Sequence, residues 1–355
     1  MKDKIIVMGG YGQVGQIISK DLGKLFPGKV FAAGRNYMKA KDFCDMTKGN
    51  VYPLQVDVNE DFLSDHMLKE TSVVVMCLDQ QNTRFMEQCF QHDIHYVDIT
   101  ASYEFLTKVR NISLENSPLQ STAVLSVGLA PGLTNMLVKH NVEQMDEVNS
   151  ADIYIMMGVG DQHGKAGIEW MINNLNSKFP VIENGAEKQV RSFENGLRTE
   201  FPNKLGHRKA FRFNFTDQHV LPHTLGIGSV STRLCFDSIV LTNLMALLKK
   251  VGFFRLLTIS YLHQLTLVLF EKLNFGSDIW VIKVSTEGYI DGNKANIETT
   301  LHGQKESFIT GKVAAFVAKE LYINKYSQGI FHIEELFQPK ELFNDLSSYM
   351  QFESI

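Results

Sequence analysis

A glycine-rich turn that begins near residue 10 restricts the fold of this chain more than any other feature. In the run KIIVMGGYGQVGQIISKDL, an apolar stretch at 4–8 precedes Gly10, Gly12 and Gly15, and an amphipathic helical pattern follows. Gly10 permits a tight turn, Gly12 lets the backbone approach a pyrophosphate, and Gly15 allows the helix to pack closely on the strand. The sequence therefore predicts a dinucleotide site whose phosphates lie at the helix N-terminus. Its predicted contacts are Gly10, Tyr11, Gly12, Gln13, Val14 and Gly15.

The pattern around this turn is that of a parallel sheet with helices on both faces. Apolar runs alternate with amphipathic stretches over about the first 145 residues. Strands are predicted at Lys4–Met8, Lys29–Ala33, Val51–Val56, Ser72–Cys77, His95–Val97 and Ala123–Val127. Six strands joined by helical crossovers make a Rossmann domain, a doubly wound parallel sheet. Without that context, the glycine turn would be equally consistent with a purely structural role.

The end of the second predicted strand indicates which dinucleotide binds. NAD-binding domains place Asp or Glu there, where the carboxylate bonds to the ribose 2′-OH. This strand is instead followed by Arg35 and Asn36. Arg35 can offer a planar cation to a 2′-phosphate, so we expect NADP(H) rather than NAD, the alternative being an ordinary surface arginine. The residues after the third and fourth strands that we expect near the adenosine half are Asp57, Val58 and Leu78, although an aspartate there can equally cap a helix.

After residue 141 the regular alternation of strands and helices stops. Strands are predicted at 152–157, 208–214, 279–289 and 295–301, and helices at 167–176 and within 239–273, with a break near Gly252. This pattern indicates a second, α+β domain. An amphipathic helix at 311–321 is expected to return to the first domain. The predicted boundaries are 1–130 plus about 310–355 for the Rossmann domain and 131–309 for the second domain.

Composition excludes several functional classes. The 355-residue chain has a formal net charge of -4 and no run of Lys and Arg, so nucleic acid is not an expected partner. Its four cysteines form no CxxC pair, which argues against a zinc site or a disulfide framework and fits the reducing cytoplasm. The N-terminal apolar run is too short for a signal peptide. Segment 256–270 is shorter than the about 20 apolar residues of a membrane span and contains polar residues, so we predict a buried or interface helix there.

Four further runs carry a resemblance to a known family. They are HYVDITASYEF at 95–105, GLAPGLTNML at 128–137, DGNKANIETTLHG from 291, and QGIFHIEELFQPKELFNDL from 328. Together with the glycine turn, they resemble the saccharopine dehydrogenase family from residue 4 to about 346, with a looser match in the middle.

The resemblance implies an NADP-dependent oxidoreductase. In that family the loop matching 128–135, which includes Pro131, lies beside the nicotinamide, and the second domain binds amino acids or amines and forms a homodimer. It implies imine reduction, or the reverse oxidation, with residues near 239–273 at the dimer contact. Family members that reduce saccharopine carry an acid before the proline and an Asp-His pair after the glycine. Ala130, Thr134 and Asn135 depart from this pattern and favour an amine, opine-like or other carbonyl-derived substrate.

The candidate catalytic residues are His163, Lys165 and Tyr103. Asp161, His163 and Lys165 lie in a glycine-rich stretch that resembles the family's turn before the first substrate-domain helix. His163 or Lys165 could donate a proton or bind a carboxylate, or the stretch could be an exposed turn. Tyr103 could face the nicotinamide, but it lacks the lysine of a YxxxK pair, so a short-chain dehydrogenase mechanism is not supported.

A second polar cluster comprises Arg208, Arg212, His219 and His223. The arginines could bind a substrate carboxylate through paired hydrogen bonds, although alternating arginines are equally typical of the solvated face of an edge strand. The two histidines would form a metal pair only on a helix, and Pro222 argues against one, so no metal is predicted.

Two other functions stay open at this stage. The same fold could serve a non-catalytic NADP(H)-binding regulator, since the sequence shows no decisive catalytic acid. The apolar segment 239–273 could instead point to a reductase of an apolar substrate.

Overall fold

The computed structural model describes residues 2–59, 63–115, 119–161, 164–202, 205–272 and 276–354. The chain divides into two compact units. Unit 1 contains Met1–Leu133 and Phe308–Asp345, and unit 2 contains Thr134–Ser307 and Leu346–Ile355.

The first part of unit 1 alternates strands and helices. It consists of β1 (Lys4–Met8), α1 (Gln13–Leu25), β2 (Val30–Gly34), α2 (Tyr37–Asp45), β3 (Val51–Gln55), α3 (Asp65–Glu70), β4 (Thr71–Met76), α4 (Arg84–Gln91), β5 (His95–Asp98), α5 (Tyr103–Glu115), β6 (Thr122–Leu125) and an irregular turn at Leu129–Leu133.

Unit 2 mixes longer strands with helices. Its elements are α6 (Thr134–Val142), β7 (Glu147–Met157), α7 (Lys165–Asn174), β8 (Lys178–Glu183), β9 (Ala186–Arg191), β10 (Leu197–Phe201), β11 (Gly206–Arg212), α8 (Asp217–Thr224), β12 (Ser229–Phe236), α9 (Ile239–Lys250), a 3-10 helix (Phe253–Thr258), α10 (Ser260–Lys272), β13 (Ile279–Ile290) and β14 (Asn293–Gln304). The C-terminal elements are α11 (Glu306–Ile323), β15 (Gly329–His332), α12 (Ile333–Leu336), α13 (Pro339–Leu346) and β16 (Met350–Ser354).

The sheet of unit 1 is parallel and has the order β15-β6-β5-β4-β1-β2-β3. The six predicted strands are confirmed, and six of the seven positions follow the Rossmann order. Its central strands are fully buried, as continuous apolar runs predict for a sheet covered on both faces. The sixth strand ends two residues before the predicted Val127, because Ser126 adopts a left-handed φ of 58° and its hydroxyl bonds to His332.

Helix α11 packs within unit 1. Gly311 lies against Ile17 of α1, and Lys312 forms an ion pair with Asp21 at 2.5 Å. Residues 346–355, however, were predicted in the first domain and belong to unit 2. The reason is that β16 pairs antiparallel with β14 at the edge of the second sheet.

The sheet of unit 2 is mixed and has the order β10-β11-β12-β7-β13-β14-β16. Among the described residues of this sheet, β7 and β12 form the one parallel pair, so the α+β prediction is confirmed. The two predicted helices near Gly252 are also confirmed. In the described part of the chain, no helix combines the length and the apolarity needed to cross a membrane.

Alanine substitution of two helical glycines tests the packing of α11. A Cβ at Gly311 would lie 2.8 Å from two carbons near the backbone of Ile17, whereas a Cβ at Gly167 in α7 would meet nothing within 4 Å. We expect Gly311→Ala to lower the free energy of unfolding by about 1–3 kcal/mol. The control Gly167→Ala should raise it by up to about 1 kcal/mol, because alanine favours the helix. Denaturant unfolding measures both, and equal effects of the two substitutions would contradict the packing.

Candidate nucleotide and acid-base site

The turn between β1 and α1 is shaped by backbone contacts that exclude side chains. The Gly12 N–H donates to the carbonyl O of Gly9 at 2.8 Å. A Cβ at Gly15 would overlap that same carbonyl, and a Cβ at Gly10 would lie 2.6 Å from the carbonyl O of Val7. Glycine is therefore required at two of the three motif positions by the local backbone alone.

The N-terminus of α1 is suited to an anion. Its cap residue is Gly12, which has no side chain, and the first turn carries no acid. The hydroxyl of Ser19 donates to the carbonyl O of Gly10, and the amide of Gln16 donates to the carbonyl O of Tyr11 at 2.9 Å. These bonds hold the turn in place, so the helix N–H groups and dipole can face a pyrophosphate. The residues present fit a dinucleotide.

Tyr11 covers the end of β2. A Cβ at Gly34 would lie 2.6 Å from the Tyr11 ring, and the Asn36 N–H donates to the Tyr11 hydroxyl at 3.0 Å. The Asn36 side chain caps α2 by accepting the Lys39 N–H at 3.0 Å. Arg35 is exposed beside them. The structure thus brings Tyr11, Arg35 and Asn36 together and gives Asn36 a structural role.

The other predicted cofactor contacts have different surroundings. Leu78 packs against Gly9, where an added Cβ would lie 2.8 Å from the leucine Cδ2. Asp57 accepts the Asn59 N–H at 3.0 Å, and Val58 packs on the core of unit 1. Leu78 therefore adjoins the glycine turn, while Asp57 also shapes its own loop.

Pro131 lies buried in the turn after β6. The Leu133 N–H donates to the carbonyl O of Gly128, and the Leu129 N–H donates to the hydroxyl of Thr310 in α11. This turn is thus fixed by the returning helix of unit 1.

Asp98 is a candidate functional residue that the sequence reasoning missed. It ends β5 and is fully buried. Its carboxylate accepts the Thr100 N–H at 2.8 Å and the Gln80 side-chain N–H at 3.0 Å, and the Tyr96 hydroxyl donates to Gln80 at 3.0 Å. Burial raises the pKa of Asp98 to about 7, although these hydrogen bonds oppose the shift.

This pKa suits acid-base chemistry, because both protonation states are populated near neutral pH. A signal was present in the sequence. In HYVDIT, an acid directly follows a short apolar run at the carboxyl end of a predicted parallel strand. Ligands of doubly wound sheets bind at that edge.

Of the three predicted catalytic residues, the structure describes the side chain of Tyr103 but not those of His163 and Lys165. Tyr103 begins α5, half-buried, in the connection that follows Asp98. His163 lies outside the described residues, and so does the side chain of Lys165, which begins α7. Asp161 accepts the Glu306 N–H at 2.6 Å. The roles of the three catalytic candidates stay predictions.

The predicted arginine and histidine cluster lies on two elements of unit 2: the arginines are in β11 and the histidines are in α8. Arg212 pairs in register with Arg233, so both lie on one face. Arg212 is only 6% exposed, so the solvated edge-strand interpretation is wrong there, because β10 pairs outside β11. Two of its guanidinium nitrogens are buried without a hydrogen bond, and burial, followed by the charge of Arg233, lowers its pKa.

The prediction that Pro222 prevents a helix is also wrong. Helix α8 contains this proline in its last turn and is held to β12 by a bond from the Thr232 hydroxyl to Asp217 at 2.5 Å. His219 on this helix is buried against Asn214, and burial lowers its pKa to about 4. His223 is exposed. Among the residues that the structure describes, no group of three or more His, Cys, Asp or Glu is placed to hold a metal.

Comparison with known proteins identifies the nucleotide domain. Residues 5–150 match the family model of the saccharopine dehydrogenase NADP binding domain. The match covers the glycine turn, Arg35 and Asp98, and it confirms the resemblance seen in the sequence.

Solved structures extend the likeness to the whole fold. Apo saccharopine dehydrogenase (L-Glu forming) from Saccharomyces cerevisiae is 13% identical, with a TM-score of 0.70 over 99% of this chain and 100% of that chain. The chain therefore shares the saccharopine dehydrogenase fold. DAP dehydrogenase from C. glutamicum, in complex with DAP, is also 13% identical over 98% of this chain and 99% of that one, but its TM-score is only 0.46. No curated protein sequence matches the chain.

The buried carboxyl predicts a pH-dependent stability difference for Asp98→Asn. Folding raises the Asp98 pKa from 3.8 to about 7. As the pH rises through this interval, Asp98 ionises in the unfolded wild type and lowers the free energy of that state, whereas in the folded protein it stays protonated. The stability that the protonated group supplies is full below pH 4 and is lost towards pH 7. The variant has no carboxyl at this position to ionise and so does not lose this stability. Its free energy of unfolding relative to wild type should therefore rise by up to about 4 kcal/mol over this range.

Denaturant unfolding at a series of pH values measures the difference. The exposed Asp42→Asn serves as a control for removing one carboxylate from unit 1. A stability difference for Asp98→Asn that does not change between pH 4 and 7 would contradict the raised pKa.

Proposed function

We propose that this protein is an NADP(H)-dependent oxidoreductase that reduces the C=N bond of a small amino-acid- or amine-derived metabolite, or oxidises the corresponding C–N bond. One observation carries the proposal. A glycine turn shaped for pyrophosphate follows β1, and a buried carboxyl with a pKa of about 7 ends β5, with only β4 between them in the sheet. The match of residues 5–150 to the saccharopine dehydrogenase NADP binding domain supports the cofactor, and the similarity in fold to the saccharopine dehydrogenase from yeast supports the reaction class.

The binding roles follow from the turn. The N–H groups at the start of α1 hold the pyrophosphate, Gly12 allows its close approach, and Arg35 pairs with the 2′-phosphate. NADPH bound in this way supplies a hydride to carbon.

Asp98 supplies the proton in this proposal. Imine reduction needs one proton at nitrogen for each hydride at carbon. A carboxyl with a pKa of about 7 is protonated often enough to donate near neutral pH. After transfer, the carboxylate keeps the bonds from Thr100 and Gln80, which stabilise its charge. Tyr96 holds Gln80 in turn.

The remaining assignments rest on the family resemblance. Pro131 is proposed beside the nicotinamide, and Tyr103, His163 and Lys165 are proposed to assist proton transfer or to bind the substrate. Saccharopine is a poor candidate because Ala130, Thr134 and Asn135 replace the polar residues of saccharopine-reducing members. An opine-like or other carbonyl-derived amine fits better.

Calorimetry with NADPH and NADH tests the cofactor assignment. We expect NADPH to bind at least about tenfold more tightly, and Arg35→Ala to weaken NADPH roughly 10–100-fold while leaving NADH unchanged, because only NADPH carries the 2′-phosphate. Lys24→Ala, at the opposite end of α1, is the matched control and should change neither affinity. If neither cofactor binds, the glycine turn is structural and the proposal fails.

Turnover assays with imino acids, and with keto acids plus amines, test the reaction. For an accepted substrate, Asp98→Asn should lower kcat about 10²–10⁴-fold with little change in NADPH affinity. In the wild type, the reductive rate should fall as the pH rises above about 7, where Asp98 loses its proton, and the variant should lack this limb. NADPH binding without turnover of any such compound would favour the non-catalytic regulator instead.

A further inference from the structure

The second unit presents an apolar surface on α9. Val240, Leu244, Leu247 and Val251 follow one another at intervals of four, three and four residues, so they lie on one side of the helix. Their exposed fractions are 77%, 46%, 56% and 68%. An ordinary surface helix would direct such a stripe into the core.

The inner side of α9 holds two polar side chains beside the buried Met245. Lys249 is buried and donates to the side chain of Asn176 at 2.9 Å, and the buried Thr242 hydroxyl accepts the Phe236 N–H at 2.9 Å. Because these contacts fix the rotation of the helix about its axis, the apolar stripe must face outward. Leaving it in water forgoes the stabilisation that apolar burial provides.

The next two helical segments also expose apolar side chains. Tyr261, Leu265 and Val268 in α10 repeat the helical spacing and are 75%, 43% and 42% exposed. The other exposed apolar residues of this stretch are Ile239, Phe253, Leu256, Ile259 and Leu269. Isolated exposed apolar residues are ordinary, but twelve of them between residues 239 and 269 mark an interaction surface. We call these twelve residues the apolar ridge.

The charges near the ridge indicate its partner. Residues 239–270 contain Lys249, Lys250 and Arg255 but no Asp or Glu, whereas the whole chain has more acidic than basic residues. Lys250 and Arg255 are exposed on either side of Val251 and Phe253. Two copies meeting through this segment would bring its like charges together. Lipid surfaces with anionic headgroups match both the apolar side chains and the cations.

We propose that the apolar ridge binds the surface of an anionic membrane. The apolar side chains enter the boundary between headgroups and acyl chains, and the exposed Lys250 contacts the lipid phosphates. The net negative charge of the whole chain opposes binding through other faces, so the ridge sets the orientation of unit 2 on the lipid. The proposal does not depend on the oxidoreductase assignment, because vesicle binding is measured without cofactor.

Flotation of the full chain with vesicles tests the proposal. We expect binding to vesicles of phosphatidylcholine with phosphatidylserine to exceed binding to phosphatidylcholine alone by about tenfold, and to weaken as salt is raised. The double substitution Leu247→Gln and Val251→Gln should reduce this binding at least about tenfold. The matched control carries Leu25→Gln and Met46→Gln, which replace residues that are 56% and 66% exposed in unit 1, and should bind like the wild type.

Further measurements separate the outcomes. Lys250→Gln should weaken binding to anionic vesicles several-fold and leave folding, followed by circular dichroism, unchanged. Absence of vesicle binding, equal binding to neutral vesicles, or equal loss in the control pair would each overturn the proposal. So would a dimer in sedimentation that the α9 double variant abolishes while no vesicle binding occurs, since the ridge would then be the homodimer contact suggested by the family resemblance.

Discussion

The close approach of two backbone segments at the start of the chain determines how the nucleotide domain is built. The first turn of α1 passes so near the Gly9 carbonyl that Gly15 can carry no side chain. This contact fixes the direction in which α1 leaves β1, and the helix packs over the sheet and against α11. The N-terminus of α1 is thereby aimed across the carboxyl edge of the sheet, where Asp98 also ends its strand. The N-terminus of α1 and the buried carboxyl of Asp98 therefore lie at the same edge of the sheet.

Features that depend on short segments of sequence were predictable. Buried parallel strands appear as unbroken apolar runs, so β1 to β6 could be located within one or two residues. The seventh strand, β15, was missed because its four residues follow a long helix and its partner lies about 200 residues earlier. Asp98 was visible in the sequence, but its raised pKa depends on burial by distant side chains. Such burial has no local signature.

In the second unit, the sequence pattern does not indicate which helix and strand faces are covered by other elements. The spacing of apolar residues in α9 and α10 correctly indicates which side chains share a helix face. It does not indicate whether that face is covered, and in α9 Lys249 and Thr242 occupy the inner side instead. Similarly, the alternation of Arg208 and Arg212 suggested a solvated strand, because β10 was not recognised as the outer neighbour. In both cases the deciding information is tertiary.

Unit 1 is assembled from two separate stretches of chain, and this has a consequence for its synthesis. Strand β15 adds to the edge of β6, and β16 adds to the edge of β14 in the other unit; both added strands come from residues 329–354. During synthesis on the ribosome, β6 and β14 therefore remain without these partners until residues 329–354 have been made. Open edges of this kind recruit foreign strands. A chain cut short near residue 325 would keep its glycine turn and Asp98 yet expose both edges at once, so aggregation would precede any loss of chemistry.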